Sequence, residues 1–224
     1  MRQERLLIRA WLKAGIDSVS LILAAPCGAT CWLERRLRPG HEAIFAFWAQ
    51  VLAMLPGHPG SYLRRAFYRL TLESCASSFF IGFGAFFAHR EARIEDGVYI
   101  GAYAIVGSAS LRRGCLIGSR VSLVSGPALH EVDHNGVWTP FDPTKLRRIE
   151  IGEQTWVGEA AVVMADVGAG ALVSAGAVVS TPVPPGVVVA GNPARFVQSL
   201  SPSPEWVDGA AGRDARAKRW MLQQ

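Results

Sequence analysis

From Ile81 onward the aliphatic positions recur every six residues. Ile81-Gly82 opens the pattern, a degraded rung follows around His89, and Ile94, Ile100-Gly101 and Val106-Gly107 continue it. A second phase runs through Ile105, Leu111, Ile117-Gly118 and Leu123, so the register slips by one near Val106. Further on come Ile151-Gly152, Val157-Gly158 and Val163-Met164, then Val167-Gly168, Val173-Ser174 and Val179-Ser180. A helix repeats every 3.6 residues and a strand every two, so a period of six fits neither alone and predicts stacked coils, each with an inward row of aliphatics. Stacking buries what no single coil could, and the two tracts are expected to form one mainly β prism of about five coils. Glycine after the aliphatic residue removes a Cβ at the corners. The short step from Val163 to Val167 reads as a shortened rung.

The first 75 residues carry a different pattern. Leu6, Leu7, Ile8, Trp11 and Leu12 alternate with Arg2, Arg5, Arg9 and Lys13, an amphipathic helix suited to a membrane interface. Ser18 to Leu33 is an uncharged run of 16 residues, below the ~20 that span a bilayer, and it stops at Glu34-Arg35-Arg36-Leu37-Arg38. The residues after Ala29 do not make a convincing cleavage site, so the segment reads as retained. Pro39-Gly40 breaks the chain before a second apolar run, Ala43 to Leu55, whose helix would reach only about 20 Å. Two such helices predict a hairpin lying in, or dipping into, one leaflet. The alternative is a pair of buried helices against the coils or a neighbouring subunit. Leu55 to Gly60 reads as a linker and Ser61 to Cys75 as a short amphipathic helix. The organisation is then a helical region at 1–75, the coils at 76–198 with an excursion at 126–148, and a tail at 199–224 expected to form a short basic helix.

Charge sharpens this picture. Residues 1–75 hold ten Lys and Arg against five Asp and Glu, and the rest of the chain is balanced, so the net +5 lies entirely in the first third. Basic residues beside apolar runs fit the cytoplasmic side of an inner membrane, peripheral or hairpin-anchored, and no aromatic-rich basic groove speaks for nucleic acid. Cys27, Cys31, Cys75 and Cys115 have neither metal-type nor disulfide-framework spacing and read as buried thiols; no metal is expected.

Gly126 to Arg148 interrupts the sixfold pattern and contains His130, Glu131, Asp133 and His134, and the last repeat closes on Gly191-Asn192-Pro193-Ala194-Arg195. A long excursion inside a compact repeat is usually functional. With the hexads, the histidine-bearing loop and this closing motif, residues 76 to 198 resemble the hexapeptide-repeat acyltransferases, the left-handed parallel β-helix family, and in particular sugar O-acetyltransferases of surface-polysaccharide pathways. The resemblance implies acetyl-CoA or another acyl-CoA as co-substrate and a homotrimer with active sites between subunits. It implies a sugar, glycolipid or polysaccharide-precursor hydroxyl as acceptor. The catalytic histidine it implies is His130, with His134 the alternative. Trp156 matches a tryptophan beside the active site, and Gly158 belongs to the same run. Ala175 and Gly176 match small residues along the pantetheine arm, Ser180 and Thr181 the polar pair after them, and Arg195 a basic residue near the nucleotide. Pro182 stands where many members have a basic residue.

The chemistry needs these residue types. An acceptor hydroxyl loses its proton as it attacks a thioester, and a histidine can take that proton and return it to the departing thiolate. Glu131, Asp133 or a backbone carbonyl would fix the tautomer, and a backbone N–H or the Ser125 hydroxyl would meet the oxyanion. Two other readings remain open. One is a zinc carbonic anhydrase on the same β-helix, which needs three histidines where only His41, His58 and His89 lie outside the loop. The other is a non-catalytic trimeric scaffold anchored at the membrane.

Overall fold

The computed structural model describes residues 2–125, 130–140, 142 and 145–200, with side chains from Trp11 onward. The tail helix expected within 199–224 lies outside the described residues beyond Leu200. The repeat region is a parallel β-helix. Each coil lays one short strand on each of three sheets. The first coil is β1 (Ser74–Cys75), β2 (Phe80–Ile81) and β3 (Phe86–Phe87), and the second is β4 (Arg93–Ile94), β5 (Tyr99–Ile100) and β6 (Ile105–Val106). β7 (Ala109–Leu111), β8 (Leu116–Ile117) and β9 (Ser122–Leu123) form the third, and β10 (Ile149–Ile151), β11 (Trp156–Val157) and β12 (Val162–Val163) the fourth. The fifth uses a bridge at Val167, then β13 (Leu172–Val173) and β14 (Val178–Val179). A sixth, partial coil has a bridge at Val183 and β15 (Val187–Ala190), where the sequence pattern had predicted about five coils in all.

Hexad residues stack in register. One sheet aligns Ile81, Ile100, Ile117, Val157, Val173 and Val189. A second aligns Phe87, Val106, Leu123, Val163 and Val179. The third runs from Ile94 through Leu111, Ile151 and Val167 to Val183. All are buried, and each contributes on the order of 1.5–3 kcal/mol of transfer free energy. The short step from Val163 to Val167 is the corner between the second and third of these sheets, and the register slip after Val106 falls at the same corner two coils earlier. Neither is a defect of the coil.

Glycines after the aliphatic residue answer a different demand from the one read in the sequence. A Cβ on Gly101 would stand 2.5 Å from the Ser119 nitrogen and one on Gly118 2.8 Å from the Glu159 nitrogen, so they permit close approach of the next coil. The left-handed backbone sits elsewhere in the corners, at Gly84, Tyr103, Arg120, Ala160 and Gly176 along one edge. Tyr103, Arg120, Ala160 and Gly176 each donate their N–H to a carbonyl of the preceding coil, which offsets the steric cost at the non-glycine positions.

The helical region differs from the expected two-helix hairpin. α1 (Arg2–Leu37) is one helix of 36 residues that continues through Pro26, followed by α2 (Ala43–Ala53) and α3 (Gly57–Thr71), which absorbs part of the expected linker. α1 buries Ser20, Ala24, Cys27, Gly28, Cys31 and Glu34, a face of mostly small residues at helical spacing. A Cβ on Gly28 would touch the Leu70 side chain at 3.2 Å, so this face lies close on α3. Cys27, Cys31 and Cys115 are buried free thiols, as expected, whereas Cys75, expected to be buried with them, is only half-buried.

Two buried ionic groups lock the helices to the coils. Glu34 pairs with Arg90, at the corner between β3 and β4, and accepts the Ile44 N–H at 2.7 Å, so it serves the α2 N-terminus as well. Arg64, fully buried on α3, donates to the carbonyls of Leu52 (2.9 Å), Leu55 (2.7 Å) and Ile81 (3.2 Å), closing the α2 C-terminus onto β2. Phe45, Phe67 and Tyr68 cap the open end of the first coil, with Tyr68 edge-on to Phe87 at 4.8 Å and accepting its N–H at 3.1 Å. At the other end, β16 (Arg195–Ser199) turns back antiparallel along β15.

Candidate active site

The excursion leaves the third coil after β9 and returns before β10. Its neck is closed by the Arg147 N–H donating to the Ser125 carbonyl at 2.9 Å and by the Arg147 guanidinium on Asp166 at 3.1 Å. Ser125 itself is buried, and its hydroxyl accepts the Ser108 N–H at 2.7 Å, so it serves the coil interior. Residues 126–129, 141, 143 and 144, which complete the run before His130 and part of the return, lie outside the described residues.

No hydrophobic repeat announced secondary structure here, yet residues 130–139 form a small β-hairpin. Val132 and Trp138 bridge antiparallel, and Asp133 N–H donates to Val137 O at 2.8 Å. Gly136 at the tip has a φ of +78°, which glycine alone adopts without cost. The Asp133 carboxylate accepts the N–H groups of Val137 (2.9 Å) and Asn135 (2.8 Å), and these bonds hold its carboxyl below the usual range. Asp133 is thus committed to building the tip, and Glu131 to an ion pair with Lys145 at 2.6 Å.

The hairpin separates the two candidate histidines. His134 lies exposed at the tip. His130 lies at the base, just before Glu131, which pairs with Thr139, and its Nδ1 is 3.0 Å from the Thr139 carbonyl oxygen. A carbonyl can only accept, so Nδ1 carries the proton and the basic lone pair is on Nε2. Of the alternatives open for setting the tautomer, the backbone carbonyl is the one found at Nδ1. The strand pairing that places it is built by Thr139 N–H to Glu131 O (2.7 Å) and Glu131 N–H to the Thr139 hydroxyl (3.0 Å). Thr139 and Lys145 were not legible as members of this arrangement, because their role depends on a turn that the sixfold pattern does not encode.

The residues matched to a coenzyme groove fall on separate corners. Trp156 projects outward from its sheet, 53% exposed, in register with Leu116 and Leu172. Ala175 and Gly176 are exposed at the corner that follows, and nothing stands within 4 Å of a Cβ built on Gly176. The Gly191 to Arg195 turn folds over the same edge: Val178 N–H donates to Gly191 O and Ala194 N–H to Val178 O, at 2.9 and 2.8 Å. Arg195 is exposed there at the start of β16. Gly158 is also on this edge, but a Cβ there would lie 2.5 Å from the Ala175 nitrogen, so its smallness is required by coil stacking. Ser180 and Thr181 are exposed at the next corner, the one from which the His130 excursion springs two coils earlier.

Sequence reasoning did not find a second polar cluster. His89 Nδ1 lies 2.8 Å from Glu42, whose other oxygen accepts the Arg90 N–H at 2.9 Å. Burial works to raise the Glu42 carboxyl, but the bonds from His89 and Arg90 outweigh it and hold it low. The pair lines a cleft of about 750 Å³ with Arg35, His41 and Arg148. Among the described residues no group of three or more His, Cys, Asp or Glu side chains is placed to hold a metal ion.

The three sheets, the sixfold stacking and the inserted hairpin define a hexapeptide-repeat β-helix. No protein-family model matches the chain. Serine acetyltransferase 2 of Arabidopsis thaliana is 31% identical over 116 residues, covering 50% of this chain and 32% of that enzyme, so the chain spans about a third of the length of this curated relative. Among solved structures, a maltose O-acetyltransferase from Clostridium difficile 630 superposes with a TM-score of 0.43 at 17% identity, over 72% of this chain and 87% of that one. AntD, an N-acyltransferase from Bacillus cereus in complex with dTDP and 3-hydroxybutyryl-CoA, gives 0.45 at 15% identity, over 67% and 94%.

Proposed function

We propose that the protein transfers an acyl group, acetyl first among the candidates, from acyl-CoA to a hydroxyl of a sugar or of a lipid-linked or polysaccharide precursor. The observation that carries this reading is the His130 ring, held by Nδ1 on a hairpin inserted into a hexapeptide β-helix. Nε2 takes the proton of the acceptor hydroxyl as its oxygen bonds to the thioester carbon. The tetrahedral intermediate then expels the coenzyme thiolate, which receives the proton back from the imidazolium, so the base is regenerated. Ala175 and Gly176 leave a bare edge for the pantetheine arm, Trp156 offers an apolar wall, and Arg195 offers charge to the phosphates. Ser180 and Thr181 at the neighbouring corner are assigned polar contacts to the coenzyme.

The coenzyme edge and the corner bearing His130 are different edges of one prism. A homotrimer with the hairpin of one subunit facing the groove of the next would complete the site, and this is the assembly we assign.

Purified protein, titrated calorimetrically with coenzyme A, is expected to bind at one site per chain, with Arg195→Ala and Trp156→Ala each weakening the affinity. His130→Ala is expected to lower acyl transfer about 10²- to 10⁴-fold while coenzyme binding stays intact, and His134→Ala to leave transfer near wild type. Folded protein that ignores millimolar coenzyme would withdraw the chemistry and leave the non-catalytic scaffold; transfer retained in His130→Ala would remove the assigned base.

A further inference from the structure

The outer surface of α1 and α2 is unaccounted for by acyl transfer. α1 exposes Trp11 (79%), Ile22 (71%) and Trp32 (66%), and α2 exposes Phe47, with Met54 exposed just past its end. The two helices adjoin, since the Trp48 indole donates to the Thr30 hydroxyl at 2.9 Å. Soluble monomers rarely leave so extended an apolar face uncovered.

Charge around this face is sorted by sign. Among the described residues of α1, both acidic side chains turn inward, Asp17 to Arg65 on α3 and Glu34 to Arg90 on the coils. The basic residues Arg35, Arg36 and Arg38, by contrast, are exposed next to Trp32. A broad apolar face with a basic border and tryptophans along it is complementary to an anionic lipid surface.

From Trp11 to Leu37 α1 is long and apolar enough to cross a bilayer, about 40 Å against a core of about 30 Å. Its inner face forbids that. Ser20, Ala24, Cys27, Cys31 and Glu34 are buried on the body of the protein, and ion pairs fasten the helix near both ends of this stretch. Crossing would carry those pairs and the α3 surface into hydrocarbon, where unsatisfied polar groups are costly.

We propose that α1 and α2 form a docking surface for the anionic face of a phospholipid bilayer, with α1 lying along the membrane plane instead of passing through it. The surface is monotopic and holds the β-helix against one leaflet. It is independent of the acyl-transfer reading.

The test uses the full chain with an epitope tag at its N-terminus and vesicles of phosphatidylcholine alone or mixed with phosphatidylglycerol. Wild-type protein is expected to sediment with the anionic vesicles, less with the neutral ones, and less as salt rises. Arg35→Gln with Arg36→Gln should weaken binding roughly fivefold per arginine removed, and Trp32→Glu with Phe47→Glu should abolish it, with thermal melts and oligomer size unchanged. Protease added to bound vesicles should remove the tag, since both ends of α1 lie on the outer side. A protected tag would mean a crossing helix and overturn the in-plane arrangement. Vesicle binding equal in Trp32→Glu/Phe47→Glu and wild type, or no binding by wild type, would overturn the lipid surface; a smaller oligomer in that double variant would assign the face to a second copy of the chain.

Discussion

Gly158 and Gly176 stand on one edge of the prism under opposite constraints. At Gly158 the φ is ordinary and the space is absent, with the Ala175 nitrogen 2.5 Å from a built Cβ. At Gly176 the space is open and the φ is +70°. Gly158→Ala must therefore push two coils apart and is expected to lower stability by about 1–3 kcal/mol. Gly176→Ala should cost about 1–2 kcal/mol from backbone strain, and should also weaken coenzyme A if the pantetheine arm runs over this bare corner. Denaturant unfolding and calorimetry on the same two variants separate the effects: an affinity loss confined to Gly158→Ala would exchange their roles. The sequence showed where small residues stand but could not divide them, because a missing Cβ serves a neighbouring coil or a ligand equally well. His130 was legible as a candidate for the same reason that its partner was not. A histidine in a non-repeating insert stands out, whereas the Thr139 carbonyl is a backbone group positioned by a turn at Asp133 to Val137.

The elements divide by how local their cause is. Strands follow directly from the hexad, since each inward aliphatic fixes its own strand and the register of the coil above. The helices do not, because their arrangement depends on long-range polar contacts between residues far apart in sequence. Glu34 was legible as part of a basic stop after an apolar run. It is instead the buried partner of Arg90 and a ligand for the first N–H groups of α2. Removing it leaves a nearly buried guanidinium without its carboxylate. Glu34→Ala is therefore expected to destabilise the fold by about 3–5 kcal/mol, with loss of α1 and α2 docking before the coils melt. Hydrogen exchange checks this: the amides of α2 should exchange fastest in the variant while the strands β8 to β14 keep their protection. Uniform loss of protection along the chain would mean that the helices are not a separate cap but part of one cooperative unit with the coils.

At the scale of the molecule, one chain carries both halves of the proposed site but on different edges. The excursion bearing His130 springs from the corner between β9 and β10, while Ala175, Gly176 and Arg195 occupy the corner after β13 and the turn above it. The repeat predicts the prism and therefore its edges. It says nothing about which edge meets a neighbour, because the outward residues of a coil are free of the sixfold constraint. If the site forms between copies, His130→Ala damages the hairpin half of one site, and a groove variant such as Arg195→Ala with Trp156→Ala damages the other half of a different one. Refolding the two inactive proteins together in equal amounts should then restore activity. Random assembly in a ring puts an intact hairpin opposite an intact groove at roughly a quarter of the sites, so about a quarter of wild-type activity is expected. Mixing them without unfolding should restore nothing if subunits do not exchange. No recovery after joint refolding into mixed oligomers would place the hairpin and the groove of each site in the same chain, and would require the hairpin to reach across an edge of its own prism.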